Sequence, residues 1–163
     1  MHPMEEKIIN IPFLEYSSWN ELPQQQKELL EKAAQACRSS YAPYSNFNVG
    51  AAVLMGNGET VSGSNQENAA SPSGLCAERV ALFAAHHMYP AEKVVAIAIV
   101  GSQNGIVTGD FTYPCAACVQ VMVESEKRSG APMSIIVGSA SKVRVIGSVN
   151  HLLPFSFSNI PAE

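Results

Sequence analysis

Val94-Val95-Ala96-Ile97-Ala98-Ile99-Val100, ended by Gly101, is the stretch whose reading decides the fold. An apolar run without polar interruption matches a strand covered on both faces, because a strand with one wet face alternates apolar and polar positions. Downstream, Pro114 opens a helix from Cys115 to about Arg128, stopped by Gly130 and Pro132. Met133 to Val137 and Val143 to Ile146 then read as strands, and residues 149–153 as one more helical turn before the tail Pro154-Phe155-Ser156-Phe157. Upstream, Cys76 to His86 sets Val80, Ala81, Phe83, Ala84 and Ala85 on a second helix. Phe47 to Met55 and Thr60 to Asn65 flank Gly56-Asn57-Gly58 as a hairpin. Pro23 opens a first helix through about Ser39, whose apolar stripe of Leu29, Leu30, Ala33, Ala34 and Cys37 buries that cysteine. Before it, the short run Ile8 to Leu14 is broken by Pro12, as suits an edge strand or an extended arm. This alternation predicts an α/β fold, a three-layer α-β-α sandwich with a central mixed sheet of about five strands. It forms a single domain over residues 1–163, with residues 1–22 as an N-terminal arm.

The whole composition agrees with one core. The chain has 163 residues, 47% of them hydrophobic and only 15% charged, too apolar for disorder and long enough to bury roughly 70% of its unfolded surface. Ten basic residues against fourteen acidic ones give a net charge of −4, with no basic cluster, which argues against a nucleic-acid polymer as partner. No window reaches the ~18 apolar residues of a membrane span, and the N-terminus lacks the pattern of a signal peptide. A cytoplasmic protein is expected, without a membrane partner.

In a reducing compartment, Cys37, Cys76, Cys115 and Cys118 point to metal or catalysis before disulfides. Cys115 and Cys118, separated by two alanines at a helix start, lie on one face at a spacing that suits two sulfurs on one ion. Cys76 opens the other helix. Helix N-termini carry positive partial charge that favours thiolates, and three thiolates on zinc leave a fourth tetrahedral position open for water. Glu78 stands two residues past Cys76, and a carboxylate beside such a water serves as general base and then acid. Residues two apart on a regular helix diverge, so Cys76 must sit at an irregular helix start for Glu78 to share its cavity. Arg79 and the helix ends offset the negative charge of the thiolates.

Cys76-Ala77-Glu78-Arg79 and Pro114-Cys115-Ala116-Ala117-Cys118 resemble the motifs of the zinc-dependent nucleobase deaminases. Together with Tyr41-Ala42-Pro43-Tyr44-Ser45, Phe47, Val49-Gly50-Ala51 and Asn65-Gln66-Glu67-Asn68-Ala69-Ala70, they are similar to the small homotetrameric cytidine deaminases over about residues 23–157. The resemblance implies one zinc ion per subunit on Cys76, Cys115 and Cys118, with Glu78 as proton shuttle and Arg79 bracing the thiolates. It implies a nucleoside substrate, cytidine or 2′-deoxycytidine. Phe47 would stack on the base, Asn65 and Glu67 hydrogen-bond the ribose, and the Ala77 N–H face the pyrimidine carbonyl. Phe157 would reach a neighbouring subunit's site in a homotetramer with sites at subunit interfaces. Four positions depart from the family: Ser71 replaces tyrosine, Tyr113 serine, Ala116 glycine and Val119 arginine. They leave room for a relative acting on a modified nucleoside or another amino-heterocycle, or for a zinc-stabilised binding protein without turnover.

Other readings of the residues stay open. Cys-x-x-Cys also serves thiol oxidoreductases, but that leaves Cys76 and Glu78 unexplained. A closed four-cysteine site would recruit Cys37, which reads instead as core. His86 and His87 suit a helix C-terminus, and Trp19 is expected to cover the core edge.

Overall fold

The structure, a computed structural model, describes residues 4–159. Its strands are β1 (Leu14–Tyr16), β2 (Asn48–Met55), β3 (Thr60–Ser64), β4 (Val94–Gln103), β5 (Ile106–Val107), β6 (Ser134–Gly138) and β7 (Val143–Ile146). Its helices are α1 (Gln24–Ala36), α2 (Ala77–Met88) and α3 (Ala116–Ser129). The strands form one sheet in the order β1-β7-β6-β4-β2-β3, and β5 pairs with the end of β4. Only β4 and β6 run parallel; every other pair is antiparallel. All five strands expected from the sequence are present, and two short ones extend them. β1 comes from the apolar stretch before Pro23 and lies at the sheet edge, where an isolated short run has somewhere to pair.

Side-chain alternation sorts the core into two halves. Ala52, Leu54, Ala96, Ala98, Val100, Ile136, Val143 and Val145 face α1, whose Leu29, Leu30 and Ala33 are buried against them. Ala51, Val53, Ile97, Ile99, Ile135 and Val137 face α2 and α3. The three layers follow from this period of two on a sheet that both faces cover. β4 departs from strict alternation at one point. Leu54 pairs with Ala96 but Met55 with Val94, so Val95 bulges into solvent and Val94 joins the α2–α3 half.

Strand direction places the functional end. β3 and β4 are each antiparallel to β2, so they run the same way and finish at the same end of the sheet. The chain leaving β3 enters α2, and the chain leaving β4 and β5 enters α3, so both helix N-termini gather there. Open α/β sheets bind ligands outside strand C-termini for this reason. Gly63 lets α2 approach closely: a Cβ at that position would lie 2.5 Å from the Ala81 nitrogen and 2.9 Å from the Ala77 carbonyl oxygen. Trp19 closes the opposite layer, donating its indole N–H to the Ser139 carbonyl at 2.8 Å. Among the described residues, no helix is long and apolar enough to cross a membrane.

Candidate active site

Cys76 and Cys115 occupy equivalent places. Each is the residue before a helix, with extended backbone at φ −70°, ψ 154° and φ −71°, ψ 164°, and neither side chain caps its own helix. The extended backbone is the irregular helix start that Glu78 required: Cys76 lies outside the helical spiral and Glu78 inside its first turn. Cys76 Sγ is 3.9 Å from Cys115 Sγ, Cys115 Sγ is 3.6 Å from Cys118 Sγ, and all three lie within 4.8 Å of one another. Zinc–sulfur bonds of about 2.3 Å in a tetrahedron demand sulfurs about 3.8 Å apart. The Cys76–Cys115 and Cys115–Cys118 spacings match that ion, and Cys76 and Cys118, within 4.8 Å of each other, lie close enough to share it. They are the one group of three metal-binding side chains among the described residues.

Cys37 is not part of it. Its thiol points to the Val100 carbonyl at 3.3 Å on the α1 side of the sheet, whereas Cys118 is buried on the α2–α3 side. A four-cysteine site is excluded by the sheet between them. All four cysteines are free, and a third sulfur with a carboxyl beside the Cys-x-x-Cys pair is more than a dithiol couple needs.

Local charge explains how the sulfurs differ. Burial pushes the Cys115 thiol up, yet the Cys118 N–H, the Cys118 and Cys76 side chains and the Ala117 N–H together bring it below the ordinary value. Cys118 sits deeper, and burial, the charge of Glu78 and that of Cys76 push its thiol up. Helix-start polarity thus favours the thiolate at Cys115 but does not reach Cys118, which needs a cation as counter-charge. Arg79 donates to Cys76 Sγ at 3.7 Å, and its buried Nε has no partner among the described residues. Val119 is packed in the core, so the first turn of α3 offers no second guanidinium.

Glu78 is 3% exposed, and burial raises its carboxyl above the usual range despite its contact with Cys118 and the charge of Arg79. A carboxyl so placed changes protonation state near neutrality more readily than an exposed one, which suits proton transfer. The Ala77 backbone, fully buried, supplies the first N–H of α2 beside it.

Beside Cys76 opens a cleft of about 550 Å³ lined by Tyr44, Asn65, Glu67, Ser71, Leu75 and Arg79. A hollow of about 690 Å³ lies elsewhere, at the α3 C-terminus and tail, away from the sulfurs. In the cleft, Glu67 Oε2 accepts the N–H groups of Tyr44 at 2.8 Å and Ser45 at 3.3 Å. The Ser45 side chain and the Tyr44 N–H hold its carboxyl below the usual range. Asn65 Oδ1 accepts from the Val49 N–H at 2.8 Å and from the Ser40 hydroxyl, and Nδ2 donates to the Phe47 carbonyl at 2.9 Å. Both residues thus fix the 41–49 segment, and each keeps capacity for a ligand: an amide hydrogen on Asn65 and the second oxygen of Glu67.

Phe47 is half-buried, its ring against Gly101 beside Thr112, three residues before Cys115. Phe157 is 77% exposed, and only its carbonyl is held, by Gln120 Nε2 at 2.7 Å. The sequence did not reveal the Tyr44 and Ser45 backbone donors, since any residue type supplies an N–H. It also did not reveal Ser40, which reaches Asn65 across 25 positions.

Comparison with known proteins agrees with this geometry. The family model for the cytidine and deoxycytidylate deaminase zinc-binding region matches residues 23–130. A cytidine deaminase of Halalkalibacterium halodurans is 39% identical over 130 residues, covering 80% of this chain and 92% of that protein. One of Mycobacterium tuberculosis is 38% identical over 133 residues, covering 80% and 90%. The crystal structure of the Burkholderia pseudomallei cytidine deaminase superposes with a TM-score of 0.67 at 40% identity, covering 80% of this chain and 97% of that one. The match begins at the first helix and runs through α3, so it carries both cysteine motifs, and the chain belongs to the cytidine and deoxycytidylate deaminase family.

Proposed function

We propose that this protein is a hydrolase that deaminates cytidine and 2′-deoxycytidine to the corresponding uridines, releasing ammonia. The observation that carries the reading is the buried Glu78 carboxyl beside three sulfurs spaced for one zinc ion. Cys76, Cys115 and Cys118 would hold that ion, one per subunit. When bound, zinc supplies a Lewis acid that brings a water's pKa towards ~7. Glu78 would take one proton from the attacking water and pass it to the ring nitrogen, then take the second from the hydroxyl formed at the amino-bearing carbon and pass it to the amine, which leaves as ammonia while that carbon becomes the carbonyl. Arg79 offsets the negative charge of the thiolates, and the Ala77 N–H orients the base through its carbonyl.

The cleft beside Cys76 takes the sugar. Glu67, held ionised by Tyr44 and Ser45, accepts from a ribose hydroxyl, and Asn65 donates its remaining amide hydrogen. Glu67 repels a phosphate, so the free nucleoside is preferred over the monophosphate. Phe47 stacks on the base. Phe157, left in solvent by its own chain, would close a neighbour's site in a homotetramer. Four free thiols suit a cytoplasmic enzyme, and the reaction suits pyrimidine salvage.

The test is ammonia release by zinc-loaded protein across a panel of amino-nucleosides, their monophosphates and free bases. Cytidine and 2′-deoxycytidine should be turned over fastest. Binding without ammonia release, or a preference for the monophosphates, would overturn the reading.

A further inference from the structure

Arg144, on β7 between β1 and β6 and outside both cysteine motifs, gathers partners from two separate segments of the chain. Its Nε donates to Glu15 Oε2 at 2.7 Å, and its Nη1 donates to the Tyr113 hydroxyl at 2.6 Å. The guanidinium lies 4.4 Å from the Phe111 ring centre and 5.1 Å from that of Phe13. Glu15 faces Arg144 directly in the β1–β7 register and also accepts from Lys142 Nζ at 3.2 Å. A lone exposed ion pair contributes little. Here one planar fork is fixed at two nitrogens and against two rings, so it has one position, and so does what it holds.

Two of its partners, Phe13 and Glu15, belong to the arm that precedes the family match at residue 23. The other two, Phe111 and Tyr113, belong to the loop that delivers Cys115. Pro114 lies between Tyr113 and Cys115, and proline fixes its own φ while restricting the residue before it. Anchoring the Tyr113 hydroxyl therefore fixes the direction from which Cys115 approaches. Cys115 is the exposed member of the sulfur trio, whereas Cys118 is buried in α3 and Cys76 follows the paired Gln66–Leu75 bridge.

We infer that Arg144 is a positioning residue through which the N-terminal arm holds Cys115 in the zinc site. The inference rests on the reading of Cys115 as a zinc ligand. Groups that orient a metal ligand without touching the metal are worth about 10–100-fold in metal affinity, and a weaker hold lets the metal leave faster.

The test is transfer of zinc from the full-length holoprotein to a chromogenic chelator, after metal analysis of the wild type. Y113F keeps the ring and removes only the hydroxyl; it should release zinc roughly tenfold faster than wild type at an unchanged melting temperature. E15A should do the same, and the Y113F/E15A double variant should be no faster than either single, since both act through one guanidinium. K142M, which removes a contact of the arm that does not lead to Tyr113, should match wild type. Release from Y113F at the wild-type rate, additive effects in the double variant, or equal acceleration by K142M would each overturn the inference. Zinc missing from the wild type would instead overturn the ligand assignment, and this inference with it.

Discussion

The chemistry proposed for Glu78 depends on the first turn of α2, which buries its carboxyl beside Cys118 and Arg79. Replacing Glu78 by glutamine keeps the shape and removes the group proposed to carry protons. E78Q should retain zinc and melt no lower than wild type, because the substitution removes a charge that burial penalises. Its kcat on cytidine should fall by at least ~10²; steady-state kinetics with metal analysis checks this, and near-normal turnover would remove Glu78 from the proposed chemistry. The placement of each pair, Cys76 with Glu78 and Cys115 with Cys118, was legible in sequence because those spacings are local and helix geometry converts local spacing into position, whereas the meeting of the two pairs spans 39 positions and is made by the sheet. The burial-driven rise of the Cys118 thiol was not legible, since it comes from packing on strands far away in sequence. Nor was the grip of Arg144 on Tyr113, which spans 31 positions.

Two contacts control how the helices carry these residues. Gly63 on β3 leaves space for the backbone of α2, and G63A would press a methyl into the Ala77 carbonyl and the Ala81 nitrogen. It should destabilise the fold by about 1–3 kcal/mol and lower zinc content, because the displaced helix start bears Cys76; denaturant unfolding and metal analysis measure both. His86 joins α2 to α3 through Ser125 at 2.9 Å, and burial, with the charge of Arg128, holds its pKa below the ordinary value of 6.5. A depressed folded-state pKa contributes stability that is complete above the unfolded value and lost as pH falls through the folded one. The melting temperature of wild type should therefore fall more between pH about 7.5 and about 5.5 than that of H86Q. An equal fall in both would remove His86 from the acid response. At this scale the sequence reading succeeded where runs are long: β4, the hairpin of β2 and β3, and all three helices. It gave no firm account of β1 and missed β5, because two or three residues carry too little periodicity, and only the neighbouring edge makes them strands. The Val95 bulge was hidden inside an unbroken apolar run.

The whole molecule sets two helix starts at one end of a covered sheet and leaves Phe83 and Phe157 in solvent. If Phe157 serves a neighbour's site, sedimentation should show a tetramer, and F157A should raise KM without altering zinc content. A fully active monomer would contradict that arrangement. The three-layer plan was readable from alternation, while the assembly was implied only by resemblance, since exposed aromatics on one chain do not say what covers them. The central claim is an open zinc site made by three sulfurs. X-ray absorption at the zinc edge of the holoprotein tests it most directly. Three sulfur neighbours near ~2.3 Å and a single oxygen near ~2.0 Å are expected; four sulfurs, or a histidine nitrogen in the fourth place, would rule out the open three-cysteine site.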